Sequence, residues 1–436
     1  MKTKSIQNSI SIITLGCSKN LVDSEVLMRQ LQSGGMQVAH NPEEVNADKV
    51  IINTCGFIND AKEESIETIL SFARAKKEGS IKELYVMGCL SERYRKDLEN
   101  EIPEVDGFFG VAEFPAILRS IGVDYRKELL GERIITTPSH YTYLKISEGC
   151  DRKCAFCAIP LIRGKHRSKT IEELTEEVRF LASNGVKELM IIAQDSTYYG
   201  LDIYGKRKLP ELLEKLSEVS GIEWIRLHYA YPAGFPMEVL DVMRSSSKIC
   251  NYIDIPVQHI SEPILKAMKR GHTGRQTLQL IQKFRKAIPD IAIRTSIIVG
   301  FPGETKDHFS ELKAFVAEAQ FERLGVFTYS HEENTPAFKQ KDNVHAAIKK
   351  QRAAQLMELQ EQISFQLNQD KVGKIMKVII DRNEGGYWVG RSQYDSPEVD
   401  NEILIPEQFH LRQGNFYPIK ISSAEAFDLY GEPAID

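Results

Sequence analysis

The sequence predicts an α/β protein of three parts: an N-terminal α/β domain with a parallel sheet, a central partial (β/α)6 barrel of the TIM type, and a small C-terminal antiparallel β-barrel. Three observations lead to this prediction. Strand-like runs alternate with helical patterns near the start, six further strand-like runs occupy the middle, and short strands with Gly, Asn and Pro turns fill the last part.

In the N-terminal part, three apolar runs each end at a cysteine. The runs are residues 9–15, 49–53 and 84–87, and the cysteines are Cys17, Cys55 and Cys89. Helical patterns follow at residues 23–32 and 61–77 and after Ser91. Parallel strands share a carboxyl edge, where open α/β sheets bind ligands. We therefore expect three thiols at one edge of one sheet.

The middle part repeats the strand–helix pattern six times. The strand-like runs are residues 143–146, 188–192, 224–229, 252–255, 292–299 and 323–329. Helical patterns between them cover residues 171–183, 211–220, 262–269 and 277–287. A closed eight-fold barrel typically needs about 250 residues, so six repeats over roughly 220 residues predict a partial barrel.

A helical connector is predicted over residues 344–367, and the pattern then changes. Short strands are predicted over residues 375–380, 387–389, 402–405 and 416–421. Their alternating pattern and short spacing are typical of a small β-barrel. The predicted domains are therefore residues 1–125, 136–367 and 371–436.

Composition limits the classes of function that the protein can have. The chain has 436 residues, of which 42% are hydrophobic, and a formal net charge of −5. This charge argues against a general polyanion binder. No apolar run approaches the roughly 18–20 residues that span a membrane, and the polar first nine residues lack a signal core. We expect a cytoplasmic protein that does not associate with membranes.

The strongest motif is a loop that carries Cys150, Cys154 and Cys157. Three thiolates on one short loop can hold three irons of a 4Fe–4S cluster and leave the fourth iron open. A zinc site or three incidental cysteines are the alternatives, but structural zinc is usually closed by four ligands in paired arrangements, and no second pair follows. An odd total of seven cysteines argues against a disulfide framework. Cys250 belongs to neither set and is expected to be a packed thiol.

This loop resembles the signature of radical S-adenosylmethionine (SAM) enzymes. The resemblance implies that SAM binds the open iron and is cleaved reductively to a deoxyadenosyl radical. It also implies a set of SAM contacts: Phe156, Gln194, Asp195, Gln258, Ser296 and Ile298. Polar residues at strand ends are often only caps, and that alternative stays open for Gln194, Asp195 and Gln258.

The three N-terminal motifs, TLGCSKN, NTCG and MGCL, resemble those of the methylthiotransferase family. The resemblance covers the whole chain, with a C-terminal OB-like TRAM domain. It implies that Cys17, Cys55 and Cys89 hold a second 4Fe–4S cluster, which carries the sulfur to be transferred. Three buried strand-end cysteines are the alternative.

The segment LGCSKNLVDSE is similar to the version found in methylthiotransferases of ribosomal protein S-twelve. The related tRNA enzymes usually carry glutamine and methionine at Ser18 and Lys19. Residues 147–151 and 390–400 also resemble the ribosomal-protein branch, although Ser396 departs from the more usual alanine. Within the latter segment, the candidate substrate contacts are Arg391, Asp395, Glu398 and Asp400.

Charge provides an argument that does not depend on the family. Residues 371–436 contain seven lysines and arginines against eleven aspartates and glutamates. An RNA-binding barrel should be basic, whereas an acidic one suits a basic protein partner. An ordinary solvated surface would explain the same count. The basic run at residues 163–169 predicts a solvated loop, with an anion or substrate contact as the alternative.

The resemblance implies insertion of a methylthio group at the β-carbon of an aspartate of ribosomal protein S-twelve. One SAM methylates sulfur on the N-terminal cluster, and a second yields the radical that abstracts hydrogen. No general base is assigned, because the step is hydrogen-atom transfer. An electron donor and a sulfur source are also required. The alternatives are a tRNA adenosine methylthiotransferase and a non-catalytic iron–sulfur scaffold or electron carrier.

Overall fold

The computed structural model describes residues 8–434, so the polar start of the chain lies almost entirely outside it. Contacts divide the chain into two units. The first unit runs to Thr137 and also contains Tyr143–Arg152 and Ala158–Phe180. The second unit consists of Pro138–Thr142, Lys153–Cys157 and the residues from Leu181 onward. The predicted three-domain boundaries stay a prediction. Within the described residues, no helix combines the length and apolarity needed to cross a membrane.

The first unit contains a five-stranded sheet in the order β2-β1-β3-β4-β5, with every pair parallel. Its strands are β1 (Ser9–Thr14), β2 (Gln37–His40), β3 (Lys49–Thr54), β4 (Glu83–Gly88) and β5 (Gly107–Phe109). Its helices are α1 (Ser18–Ser33), α2 (Asn59–Lys77), α3 (Cys89–Glu101) and α4 (Phe114–Ile121). The predicted parallel sheet is confirmed.

This sheet is buried on both faces, as parallel sheets usually are. Ile51 packs into a core with Leu27 and Leu31, whereas Val50 and Ile52 pack into another on the opposite face. Successive strand residues point to opposite faces, which explains the continuous apolar runs. Two strands are not indicated by the sequence pattern: β2, because it is half polar, and β5, because it is only three residues long.

Short elements follow in the chain. They are β6 (Tyr141–Lys145), β7 (Ser147–Glu148), α5 (Ile159–Ile162), β8 (Arg167–Ser168) and α6 (Ile171–Ser183). Strands β7 and β8 pair antiparallel. This small ribbon flanks the loop that begins at Cys150.

The second unit is built on the predicted repeats. Its strands are β9 (Glu188–Ile192), β10 (Trp224–Leu227), β11 (Ile249–Asp254), β12 (Ala292–Val299) and β13 (Arg323–Thr328). Its helices are α7 (Leu201–Tyr204), α8 (Leu209–Ser217), α9 (Glu238–Ser245), α10 (Glu262–Ala267), α11 (Gly274–Ala287) and α12 (Lys306–Ala319). The sheet has six strands in the order β13-β12-β11-β10-β9-β6 and does not close, which confirms the partial barrel.

Helix α13 (Ala346–Gln369) leads to a closed five-stranded barrel. Its strands are β14 (Ile375–Glu384), β15 (Tyr387–Ser392), β16 (Glu402–Pro406), β17 (Phe416–Ala424) and β18 (Asp428–Pro433). Four pairs are antiparallel, but β16 and β18 pair parallel. An odd number of strands cannot alternate in direction around a closed ring, so one parallel pair is required.

Buried ion pairs join this small barrel to the open sheet. Glu188, at the start of β9, accepts hydrogen bonds from Arg226 at 2.9 Å and from Arg391 at 2.8 Å. Arg391 also donates to Asp381 at 2.9 Å. Burial opposes ionisation of Glu188, yet Arg391 and Arg226 hold its pKa below the ordinary value. The carboxylate therefore stays charged between two arginines.

We expect Glu188→Ala to lower the free energy of unfolding by about 3–5 kcal/mol, because removing one member of a buried ionic network leaves charge uncompensated. The matched control is Glu223→Ala, which removes a pair with Lys377 whose side chains are 44% and 51% exposed. That change should cost about 1 kcal/mol or less. Urea unfolding measures both, and equal losses would contradict the assigned role of the buried network.

Candidate cluster-binding site

The three N-terminal cysteines lie where parallel strands of the first unit end. Cys17 follows β1 after a short turn, Cys55 follows β3 directly, and Cys89 is the first residue of α3, next to the end of β4. The turn before Cys17 passes close to Cys55. A Cβ added to Gly16 would lie 2.7 Å from the Cβ and 2.9 Å from the Sγ of Cys55, and Gly16 has a φ of +89°. Glycine is therefore required there.

Asn20 connects these three motifs. Its amide nitrogen donates to the carbonyl of Leu15 at 2.9 Å and to that of Thr54 at 3.0 Å. Its amide oxygen lies 3.7 Å from the Sγ of Cys89. One buried side chain thus holds the backbone before Cys17, the backbone before Cys55 and the third thiol.

A buried arginine also reaches Cys89. Nη2 of Arg163 donates to Oδ1 of Asn20 at 2.6 Å and lies 3.5 Å from Sγ of Cys89. Burial raises the pKa of the Cys89 thiol to about 12, and the charge of Arg163 opposes that rise. Because thiolates are the ligands of iron–sulfur clusters, a fixed cation favours the form of Cys89 that binds metal.

Two carboxylates and a lysine surround this arginine. Nη1 of Arg163 donates to Asp23 at 3.1 Å and to both oxygens of Glu148 at 2.9 Å. Lys145 pairs with the same two carboxylates. Burial disfavours the charged form of Glu148, but Lys145 and Arg163 hold its pKa far below the ordinary value. These contacts fix the orientation of the Arg163 guanidinium.

Cys150, the first cysteine of the second motif, lies in the same unit as Arg163 and contacts the residue after it, Gly164. Its backbone N–H donates to the carbonyl of Gly164 at 3.1 Å. A Cβ on Gly149 would lie 2.1 Å from the carbonyl oxygen of Lys165, so the two segments touch. Adjacent residues Arg163 and Gly164 therefore contact Cys89 and Cys150.

In the second unit, an arginine side chain lies against the thiol of Cys154. Its Sγ lies 3.2 Å from Nη1 of Arg270 and 3.6 Å from the hydroxyl of Tyr231. That hydroxyl also lies 2.5 Å from the carbonyl oxygen of Arg270. Three residues further, the N–H of Cys157 donates to the Cys154 carbonyl at 3.2 Å. The loop presents these cysteines in a fixed turn.

Four of the predicted SAM contacts lie together in the second unit. Phe156 and Ile298 pack against one apolar cluster. Gln258 has a φ of +72° and bonds to β12 through its backbone, to Ser296 and to Ile298, both at 2.8 Å. The remaining two follow β9: Asp195 accepts from the N–H of Thr197 at 2.9 Å, as a cap does, and Gln194 is half-buried beside it.

The four predicted substrate contacts lie elsewhere in that unit. Arg391 and Asp395 are 2% and 0% exposed and pair with Glu188 and Arg323. The side chain of Asp400 accepts from Tyr252 at 2.8 Å, and exposed Glu398 accepts from Tyr141. The partners of Arg391 and Asp395, Glu188 and Arg323, are the first residues of β9 and β13, whereas Gln194 follows the carboxyl end of β9. Substrate contact by these four residues stays a prediction.

Several residues of the site are not indicated by the sequence pattern. The solvated loop predicted at residues 163–169 is wrong for Arg163 and His166, which are 3% and 4% exposed. Their neighbours Lys165 and Arg167 are exposed, as expected. Spacing along the chain cannot indicate that Arg163 pairs with Asp23, because 140 residues separate them. Asn20 lies inside the TLGCSKN motif, and that position was the one signal in the sequence for its role at the site.

The donor set fits two iron–sulfur clusters. Each set supplies three thiols, and one thiol of each set lies against an arginine. Within residues 8–434, no three His, Cys, Asp or Glu side chains form a site for a single metal ion. The ligands of a cluster bind different irons. No disulfide joins any of the seven cysteines.

This fold and site define an iron–sulfur enzyme of the radical SAM class. Residues 144–316 match a family model described as the radical SAM superfamily. Residues 9–110 match one described as uncharacterized protein family UPF0004, and residues 372–434 match one described as a TRAM domain.

Curated relatives narrow this class of enzyme to one family. A protein of Flavobacterium psychrophilum is 59% identical over the whole of both chains, and one of Christiangramia forsetii is 57% identical over 99% of this chain and 96% of its own. A third, from Bacteroides fragilis, is 54% identical over 98% and 99%. All three are named ribosomal protein uS12 methylthiotransferase RimO. This chain belongs to the RimO family.

Solved structures support the fold alone. The radical SAM methyltransferase TsrM from Kitasatospora setae, with cobalamin and a 4Fe–4S cluster, has a TM-score of 0.57 at 14% identity, covering 76% of this chain and 77% of its own. The cobalamin-dependent SAM radical enzyme OxsB has a TM-score of 0.54 at 12% identity, covering 76% and 54%.

We expect Gly16→Ala to empty the N-terminal cluster site, because the added Cβ would overlap Cys55. The control is Gly35→Ala, since Gly35 has a similar φ of +82° but nothing within 4 Å of the added carbon. Iron per chain is measured in a background in which Cys150, Cys154 and Cys157 are alanine. Loss of most of this iron in Gly16→Ala but not in Gly35→Ala is the predicted result. Full retention in both would show that close approach at Cys55 is not required.

Proposed function

We propose that this chain transfers a methylthio group to ribosomal protein uS12, at the β-carbon of an aspartate, by a radical SAM mechanism. Relatives that are 54–59% identical over nearly the whole chain carry the name of that activity. The motif resemblance in LGCSKNLVDSE supports the same branch. We also propose a cytoplasmic location, because that is where a ribosomal substrate would be met.

One observation of the structure carries the proposal. Arg163 lies against Cys89 of the first cysteine set, and the next residue, Gly164, bonds to Cys150 of the second set. Methylthio transfer needs a sulfur carrier and a radical source near the same substrate atom. Cys89 and Cys150, one thiol of each set, contact adjacent residues of one unit, which supports that need.

The cofactors are two 4Fe–4S clusters and SAM. We propose Cys17, Cys55 and Cys89 as ligands of one cluster and Cys150, Cys154 and Cys157 as ligands of the other. When bound, these groups supply a deoxyadenosyl radical and the sulfur that is transferred. The residues proposed to contact SAM are Phe156, Gln194, Asp195, Gln258, Ser296 and Ile298.

The protein itself positions these groups and excludes water. Arg270 and Tyr231 fix the thiol of Cys154 by contacts at 3.2 and 3.6 Å. Phe156 and Ile298 pack against one apolar cluster, and an apolar surface of this kind suits a flat adenine ring. We assign no general base, because the reaction requires transfer of a hydrogen atom and not of a proton.

The domain boundaries at residues 1–125, 136–367 and 371–436 are part of the proposal. The three family matches fall inside them, which supports the division. The acidic C-terminal domain supports a basic protein partner over tRNA. An electron donor and a sulfur source complete the reaction.

The test uses anaerobically reconstituted enzyme with SAM, a reductant and a sulfur source. A uS12 loop peptide and a tRNA anticodon stem-loop are offered in parallel, and both are analysed by mass spectrometry. We expect a methylthio mass gain on the peptide alone. A gain on the RNA alone would overturn the proposed substrate and retain the chemistry, and no gain on either would argue for a scaffold.

The same assay separates the roles of the two cysteine sets. Cys154→Ala should abolish SAM cleavage, because it removes a ligand of the SAM-binding cluster. Cys55→Ala should retain cleavage but give no methylthio product. Cys250→Ala, which changes a buried thiol packed against Trp224 and Tyr252, is the control and should keep both activities. Product formation by either of the first two variants would contradict the division of labour.

A further inference from the structure

We infer that Arg163 is a positioning residue that sets the reduction potential of the N-terminal cluster by donating a hydrogen bond to the sulfur of Cys89. The inference rests on the proposed function, because it takes Cys17, Cys55 and Cys89 as ligands of that cluster. It adds a residue outside both cysteine motifs to the machinery of the reaction.

The geometry of the contact is specific. Nη2 of Arg163 lies 2.6 Å from Oδ1 of Asn20 and 3.5 Å from Sγ of Cys89, within hydrogen-bond range for sulfur. Arg163 is 3% exposed and Cys89 is 6% exposed, so water screens their interaction little. By contrast, Cys17 is exposed and Cys55 is half-buried. The arginine therefore acts on the most buried of the three sulfurs.

The guanidinium is held in place from the other side. Asp23 and Glu148 accept from Nη1, and Lys145 pairs with both carboxylates. These two cations and two anions balance one another, so the group adds no net charge of its own. Its effect on the cluster comes from its orientation: Nη2 is directed at the thiol and both carboxylates bind Nη1.

This arrangement has a defined electrostatic consequence. The potential of an iron–sulfur cluster depends on its net charge, the hydrogen bonds to its sulfurs and its solvent exposure. Reduction adds negative charge that spreads onto the sulfurs. A buried donor fixed beside Cys89 stabilises the reduced form more than the oxidised form and so raises the potential.

An arginine is suited to this task and a lysine is not equivalent. A planar guanidinium offers five donors in a rigid fork, whereas an ammonium is a compact point charge. Arg163 uses this fork to bind two carboxylates at Nη1 and to donate to Asn20 and Cys89 from Nη2. Lysine would keep the charge but could not make all of these bonds at once.

The experiment measures one cluster at a time in the full-length chain. The parent carries alanine at Cys150, Cys154 and Cys157, so that only the N-terminal cluster assembles. Arg163→Gln and Arg163→Lys are made in this parent. The matched control is Arg133→Lys, which alters another buried arginine of the same unit whose partners are Glu25, Glu177 and the Tyr143 carbonyl. Iron and sulfide content is measured first, and the midpoint potential follows by EPR-monitored redox titration.

We expect Arg163→Gln to shift the reduction equilibrium toward the oxidised form by about tenfold, which is 59 mV for one electron. Arg163→Lys should shift it in the same direction by less, and Arg133→Lys should leave it unchanged. If Arg163→Gln does not retain the cluster, the midpoint potential of Arg163→Lys becomes the deciding measurement. Full cluster content with an unshifted potential in Arg163→Lys would overturn the inference, whereas a parent that assembles no cluster would overturn the proposed ligand set instead.

Discussion

The structure depends on bringing three thiols, the proposed ligands of a metal cluster, to the carboxyl edge of one parallel sheet and on holding a hydrogen-bond donor against the most buried of them. The sheet achieves the first task through β1, β3 and β4, each of which ends beside a cysteine. A buried guanidinium achieves the second, because Arg163 is fixed against Cys89 by Asp23 and Glu148. The segment that supplies this guanidinium also bonds to Cys150, because the backbone N–H of Cys150 donates to the carbonyl of Gly164.

The carboxyl and amino ends of the sheet strands in the second unit make different kinds of contact. At the carboxyl ends of its strands, Gln258 bonds to β12 beside Ser296 and Ile298, which line the predicted SAM site. Toward the amino ends, Glu188 and Arg391 belong to a buried ionic network that attaches the small barrel. The division matches the general rule that the carboxyl ends of parallel strands carry chemistry and the other ends carry stability.

Most of the architecture can be predicted from the sequence, because it follows from local patterns of apolar and polar residues. Apolar runs marked β9 and β12 with their observed limits, and the cysteines marked the ends of β1, β3 and β4. The parallel pair in the small barrel could not be predicted, since it follows from closure of five strands. The burial of Arg163 could not be predicted either, because its partners Asp23 and Asn20 lie some 140 residues away in the chain. A basic run is most often solvated, and here tertiary ion pairs override that expectation.

The most direct test of the account is whether two reduced clusters interact magnetically. EPR spectra are recorded for the reconstituted chain with both clusters reduced, and for two variants that each retain one cysteine set, with the other three cysteines changed to alanine. Because Arg163 and Gly164 link Cys89 to Cys150, the account predicts a spectrum broadened by spin coupling that the two single-cluster spectra do not add up to. A spectrum equal to their sum would contradict the proposed assignment of Cys89 and Cys150, which contact adjacent residues of one unit, to two different clusters.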